Sequence, residues 1–324
     1  MTLKPAQHYP AMSDPQAQPR YVGIPTFFRA PAAADLSDCD IGIIGVPFDG
    51  GVTNRPGARH GPREVRNQSS LLRPVSTATD QAPFAALRIR DLGDCWIERP
   101  YELQGAHAEI EAFFHQVVDA GITPLSVGGD HSITFPIMQA VAKHGPVGMV
   151  HIDAHGDTGD DYMGSRFHHG APFRRAVEAG LLDPKRTIQI GLRGTSTVRG
   201  SLWAFSEESG MRVMPMDEVH DRGWRWAVEE ALRVVGGGPT YLSFDIDSLD
   251  PVWAPGTGTP EAGGLSMIEA QRILRGLRGI DFVAGDLVEV SPPFDHAGLT
   301  AFHGASILFE ELCLLAEARS ARAA

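Results

Sequence analysis

Eight short apolar runs punctuate this sequence, and several finish on an acidic or histidine residue. They are "DIGIIGVPF" (40–48), "ALRIRDLGD" (86–94), "TPLSVGGD" (123–130), "PVGMVHIDAH" (146–155), "RTIQIGLRG" (186–194), "MRVMPMDEV" (211–219), "PTYLSFDID" (239–247) and "DFVAGDLVEV" (281–290). Nearly continuous apolarity marks strands covered on both faces, because a strand with one wet face alternates polar and apolar residues. Helix-like segments lie between them. Residues 101–121 carry apolar positions at helical spacing, 265–277 opens with Ser266 and Glu269 in capping-box order, and 300–318 reads as a closing helix. The alternation predicts one α/β domain over 38–324 with a mainly parallel sheet, preceded by an arm (1–37) of little regular structure. Eight strands leave a closed β/α barrel open as an alternative.

Composition narrows the partners. A formal charge of −12 and a pI near 5.5 argue against nucleic acid or an anionic membrane as a partner, while a cationic substrate would be welcome. The cysteines Cys39, Cys95 and Cys313 are odd in number and widely spaced, so neither a disulfide framework nor a thiolate metal site is expected, and the setting reads as cytoplasmic. The N-terminus lacks the apolar core of a signal peptide, and no run is expected to be long enough to cross a bilayer.

The strand ends carry the chemistry. In open parallel sheets, sites form beyond the carboxyl ends of the strands. In "HIDAHGDTGDD" (151–161), Asp153, His155 and Asp157 sit on alternate positions, so they share a direction if the extended conformation persists that far. Asp245 and Asp247 do the same. With His131 this makes four carboxylates and two imidazoles, a set whose negative charge calls for a cation. Oxygen and nitrogen donors without sulfur suit hard or borderline divalent ions, and six are too many for one closed tetrahedral zinc. Two metals with bridging carboxylates fit better, manganese first, with nickel, cobalt or zinc as alternatives. His151 lies deeper and reads as support beneath the ligands. Asp160 and Asp161 are expected to shape the following loop, and Arg174 and Arg175 to form internal ion pairs. His60, His296 and His303 are expected at the mouth or in structural roles. The glycines of "APGTGTPEAGG" (254–264) read as a shaped turn, since no phosphate-loop lysine follows.

The motifs "VGGDHS" (127–132), "DAHGD" (153–157), "HHGAPFRRA" (168–176), "SFDIDSLDP" (243–251), "APGTGTPEAGG" and "EVSPP" (289–293), with "RPGARHGPREVR" (55–66), give the chain a resemblance. It resembles the ureohydrolases, that is, arginase, agmatinase and the guanidino-acid amidinohydrolases, with most likeness to the guanidinopropionase and guanidinobutyrase branch. The resemblance covers nearly everything after the arm. It implies a three-layer α/β/α domain with an eight-stranded mainly parallel sheet rather than a barrel, two Mn²⁺ ions, and trimers or hexamers, with a mixed oligomer left open. Carried over by position, it implies His131, Asp153, His155, Asp157, Asp245 and Asp247 as metal ligands, His169 as acid/base and Glu289 as the guanidinium-binding carboxylate. Asp157 would also accept a hydrogen bond from the nucleophile, and His168 would be pocket wall or surface.

Two positions depart from the family pattern. Gly159 stands where the guanidino-acid enzymes usually have an Asn that helps bind the substrate carboxylate, and Gly156 stands where Ala, Ser or Thr is usual. Both remove side-chain volume, whereas Tyr162 matches an aromatic found near this loop position in guanidinopropionase. The expected function is therefore hydrolysis of a guanidino acid, 3-guanidinopropionate or 4-guanidinobutanoate, to urea and an amine. The alternative is the same chemistry on a carboxylate-free guanidine, alkylguanidine or biguanide such as metformin, with agmatine and arginine lower. A catalytically silent partner subunit is the reading from another class, and a deacetylase of related fold is a further enzyme alternative.

Overall fold

A computed structural model describes residues 19–33, 35–196 and 203–323. Eight strands form one sheet: β1 (Ile41–Val46), β2 (Ile89–Asp94), β3 (Thr123–Gly128), β4 (Val147–Ile152), β5 (Leu182–Leu192), β6 (Arg212–Pro215), β7 (Thr240–Asp245) and β8 (Phe282–Val288). Their order is β2-β1-β3-β8-β7-β4-β5-β6, and every pairing is parallel. The sheet is open, which removes the barrel alternative. Among the described residues ten α-helices surround it: α1 (Gly61–Ser69), α2 (Pro83–Ala86), α3 (Leu103–Asp119), α4 (Thr134–Val141), α5 (Pro172–Glu178), α6 (Ala204–Ser209), α7 (Met216–Arg222), α8 (Trp224–Val235), α9 (Met267–Gly276) and α10 (Leu299–Ala323).

Strands β1, β3, β4 and β7 are buried at every position, as their continuous apolarity requires. Alternate side chains feed two cores. Ile41, Ile43, Leu125, Val127, Val150 and Ile152 pack with residues of α1 and α7 to α10. On the other side, Ile44, Val46, Val147 and Met149 pack with Ile110 and Phe114 of α3, Ile137 of α4 and Phe173 of α5. The layers are thus α/β/α. Ser266 and Glu269 form the expected capping box at α9.

Two expectations change and a third gains detail. The run at 211–219 is strand only to Pro215; Met216 then opens α7, whose first turn carries Asp217 and Glu218, where acids favour a helix start. The arm, expected to hold little regular structure, lies outside the described residues at 1–18 and 34; its described part has one short 3₁₀ turn (Phe27–Arg29) and docks on the domain: Phe27 and Phe28 are fully buried, Phe28 lies edge-on to Phe309 at 5.7 Å, and the Phe27 amide donates to Asp91 at 2.8 Å. Helix α10 is long and apolar enough by composition to cross a bilayer, contrary to the sequence expectation. Yet 89% of its most apolar window is buried within the protein, as in a core helix.

Strands β3 and β4 are consecutive in the chain, but β8 and β7 lie between them. The carboxyl ends of β3, β8, β7 and β4 therefore stand side by side, and the six predicted ligands, His169 and Glu289 all follow those four ends.

Candidate active site

Three of the four strands end with the same device. After β3, Asp130 accepts the Ser132 amide at 2.9 Å; after β4, Asp153 accepts the His155 amide at 2.6 Å; at the end of β7, Asp245 accepts the Asp247 amide at 2.8 Å. Each carboxylate turns the chain by capturing the backbone two residues on. The two-residue spacing of the motifs therefore serves a turn. Extended structure stops at Ile152, and Asp157 has a φ of +47°, so strand alternation does not align Asp153, His155 and Asp157.

The turns nevertheless bring all six sequence-predicted ligands together. His131 Nδ1 lies 2.9 Å from Asp157 Oδ2, 3.2 Å from Asp153 Oδ2 and 3.3 Å from Asp245 Oδ2. His155 Nδ1 lies 3.2 Å from Asp247 Oδ2 and 3.5 Å from Asp153 Oδ1. The residues form two adjoining groups that share Asp153. Asp153, Asp245 and Asp247 are buried. Burial and then mutual repulsion raise the pKa of Asp245 well above the carboxylate range, and burial with the charge of Asp153 raises Asp247 despite the opposing His155. For His131, burial pulls its pKa down, but the three carboxylates facing its Nδ1 lift it well above an ordinary imidazole. The cluster is short of positive charge.

The hydrogen bonds locate that shortage. Ser243 Oγ donates to Asp286 Oδ1 at 2.7 Å, so it accepts from His131 Nε2 at 2.8 Å. With its proton on Nε2, a neutral His131 turns the Nδ1 lone pair toward three carboxylates. Nδ1 makes no directed hydrogen bond to any of them. A lone pair facing anions is answered by a cation between them, or by a proton when no ion is bound, so this donor set fits divalent metal.

The supporting residues Ser243, Asp286 and Gln189 escaped the sequence reading. Asp286 also accepts Thr134 Oγ1 at 2.6 Å and Tyr241 Oη at 2.7 Å. Gln189 Nε2 lies 3.0 Å from His151 Nδ1, and His151 Nε2 lies 2.7 Å from Asp153 Oδ2. Both ring nitrogens of His151 are thereby engaged, consistent with support. The available signal was a lone polar residue inside each buried apolar strand, which does not say what it holds.

Glu289 follows β8 with a φ of +65° and is 1% exposed. Its Oε1 accepts the His131 amide at 2.8 Å and faces His169 Nδ1 at 2.9 Å; its Oε2 is buried without a partner. His169 Nε2 meets Thr53 Oγ1 at 2.9 Å, a contact the sequence reading missed. Burial depresses the pKa of His169, but the Glu289 charge and hydrogen bond, with Asp130 and Asp157, outweigh it and raise the pKa to about 9. Asp130 is pushed up to about 7 by burial and the Glu289 charge.

A cavity of about 300 Å³ opens over these groups, lined by His155, Asp157, Asp245, His169 and Thr259 together with Gly159, Tyr162, His168 and Trp203. Asp160 pairs with Arg166, Arg174 and Arg175, and Asp161 accepts the Gly164 amide, so both shape the loop as expected. His168 is pocket wall. His303 is structural, its Nδ1 2.7 Å from the Trp253 carbonyl, while the exposed His60 and His296 do not line the cavity. The turn at 254–264 sends Thr259 Oγ1 to Asp247 Oδ2 at 3.3 Å.

Comparison with known proteins gives this arrangement a family. The arginase-family profile matches residues 39–313. The chain belongs to the arginase family. The expectation of a hydrolase is met with that membership. It is 55% identical over 316 residues to guanidinopropionase of Pseudomonas aeruginosa, an alignment covering 97% of this chain and 99% of the relative. It is 47% identical over 302 residues to guanidinobutyrase of the same organism, covering 92% and 94%. Among solved structures, the proclavaminate amidino hydrolase from Streptomyces clavuligerus superposes with a TM-score of 0.89 at 38% identity, covering 93% of this chain and all of that one.

Proposed function

We propose that this arginase-family enzyme hydrolyses the guanidino C–N bond of a guanidino acid, releasing urea and an amine. The leading substrates are 3-guanidinopropionate and 4-guanidinobutanoate, after the names of the two relatives. The observation that carries the reading is the unpartnered, buried Oε2 of Glu289 beside His169 and the His131–Asp153–Asp245 group. A planar guanidinium offers paired N–H donors to such a carboxylate.

His131, Asp153, His155, Asp157, Asp245 and Asp247 would hold two divalent ions, with Mn²⁺ favoured by the sulfur-free donor set and Ni²⁺, Co²⁺ or Zn²⁺ as alternatives. When bound, such a pair supplies Lewis-acid charge and makes water acidic near neutral pH. The remaining work falls to the chain's own residues. Glu289 orients the guanidinium carbon. Asp157 accepts a hydrogen bond from the attacking water. His169, held protonated by Glu289, carries the proton that the leaving amine needs. Tyr162 and the backbone at Gly159 border the part of the cavity that takes the rest of the substrate.

The carboxylate-free alternative rests on Gly159, which lacks the amide that helps bind a substrate carboxylate. The glycine opens no extra room: a Cβ built there would stand 2.8 Å from the Gly170 carbonyl oxygen and 3.2 Å from the His168 ring. We further place the enzyme in the cytoplasm, which its three buried free thiols support, and as a homotrimer or hexamer by family resemblance.

The test is a urea-release screen over both guanidino acids, agmatine, arginine, guanidine and biguanides, with Mn²⁺ and Ni²⁺ compared. Turnover of a guanidino acid with two ions bound per chain is expected. A purified chain that holds no divalent metal at saturation would leave the silent-subunit reading in its place.

A further inference from the structure

We infer that Thr53 is a positioning residue for His169, holding the ring nitrogen nearest the cavity in both of its protonation states. This rests on the reading of His169 as the acid/base above. The two ring nitrogens are committed differently. Nδ1 lies 2.9 Å from Glu289 Oε1, an oxygen that also accepts the His131 amide. The proton exchanged during the reaction is therefore the one at Nε2. Thr53 meets that nitrogen twice: its Oγ1 lies 2.9 Å away, and its backbone amide donates at 3.3 Å. A hydroxyl both donates and accepts, whereas an amide N–H only donates. A neutral ring, with its proton on Nδ1, takes both groups as donors. A protonated ring donates from Nε2 to Oγ1, and the amide then faces an N–H. The hydroxyl alone answers the charged form, while the amide favours the neutral one and helps the proton leave. The ring keeps its place because the hydroxyl reverses its sense as the proton comes and goes.

The loop after β1 is built to hold this contact. Asp49 accepts the Gly57 amide and Asp130 accepts the Gly51 amide, both at 2.7 Å. The Gly51 carbonyl in turn accepts the His169 amide at 2.9 Å. One loop thus grips His169 by its backbone at residue 51 and by its ring at residue 53. The close approach needs the glycine, since a Cβ built on Gly51 would stand 2.7 Å from Ser132 Oγ. Thr53 is exposed and lines the cavity, whereas His169 is buried, so the hydroxyl stands where the imidazole meets the substrate space. A β-branched side chain is stiff at χ1, which keeps the hydroxyl aimed.

The experiment compares kcat and KM across pH for the metal-loaded wild type, Thr53→Val and Thr53→Ser, on whichever guanidino compound the wild type turns over fastest, with metal content measured on the same samples. Thr53→Val keeps the shape and the amide but removes the hydroxyl. Its kcat should fall about ten- to a hundredfold, with KM within about threefold of wild type. The charged ring loses its acceptor at Nε2 while Glu289, Asp130 and Asp157 still surround it, so the alkaline limb of the kcat profile should move to lower pH. Thr53→Ser, which restores the hydroxyl, should recover most of kcat and the wild-type limb, and Thr53→Ala should repeat the loss without the bulk of valine. Wild-type kcat and limb in Thr53→Val and Thr53→Ala, a loss confined to KM, or an equal loss in Thr53→Ser overturns the inference while leaving the guanidino-acid reading intact. A wild type that releases urea from no guanidino compound overturns both.

Discussion

Glu289→Gln separates the chemistry of this site from its architecture. The substitution keeps the shape of a side chain that is 1% exposed and whose Oε1 accepts the His131 amide at 2.8 Å. An amide oxygen can still take that bond, so the metal ligands should stay in place. What changes is charge. A hydrogen bond to an ionised group contributes about 1.5–3 kcal/mol, so replacing the guanidinium-facing carboxylate should lower kcat/KM roughly ten- to 150-fold. A second effect follows from His169. Glu289 is the main group that lifts its pKa to about 9 against the opposing effect of burial. Without that charge the pKa falls, and His169 loses its proton at lower pH. The alkaline limb of the kcat profile should therefore move to lower pH in the variant. Steady-state urea release across pH 6 to 10, with metal content measured on the same samples, reads both effects. Wild-type kcat/KM in Glu289→Gln, or a loss fully explained by lost metal, would refute the assignment.

Metal removal should cost stability as well as activity. At a hundred times its Kd each ion contributes about 2.7 kcal/mol, so stripping two should cost roughly 5 kcal/mol. For 324 residues, with about 2.1 cal/mol/K of unfolding entropy each, that is a fall in Tm of about 8 °C, readable by calorimetry with and without chelator. An unchanged Tm would mean that the cluster holds no ion in the folded state. Phe28→Ala tests whether the N-terminal segment belongs to the core: Phe28 is fully buried between Phe84 and Phe309, and its amide donates to Ser69 Oγ at 2.8 Å. Urea unfolding should show a loss of about 3–5 kcal/mol, whereas a loss below about 1 would mean that the segment is only laid on the surface.

The sequence by itself determined the strands and the residues at their ends. Double-sided burial forces continuous apolarity, and that pattern is local, so β3, β4, β7 and β8 could be read directly. The acids and histidines after them were equally legible, because so many ionisable groups beside apolar runs have no inexpensive structural use. Local reading also had limits: the turn at Pro215, the burial of Phe27 and Phe28, and the Asp-capped turns depend on partners far along the chain or on backbone angles that side-chain pattern does not express.

Only the tertiary structure decided which strand ends meet. The order β3-β8-β7-β4 sets Glu289 against His131 and His169, and it lets Ser243 and Asp286 fix the His131 tautomer. It also places the His168 ring where Gly159 lacks a side chain, so that a position read as empty is filled. Strand order and loop approach are properties of contacts between residues distant in sequence, and no local period encodes them. The chemistry of the groups was written in the chain, while their pairing arose from the packing.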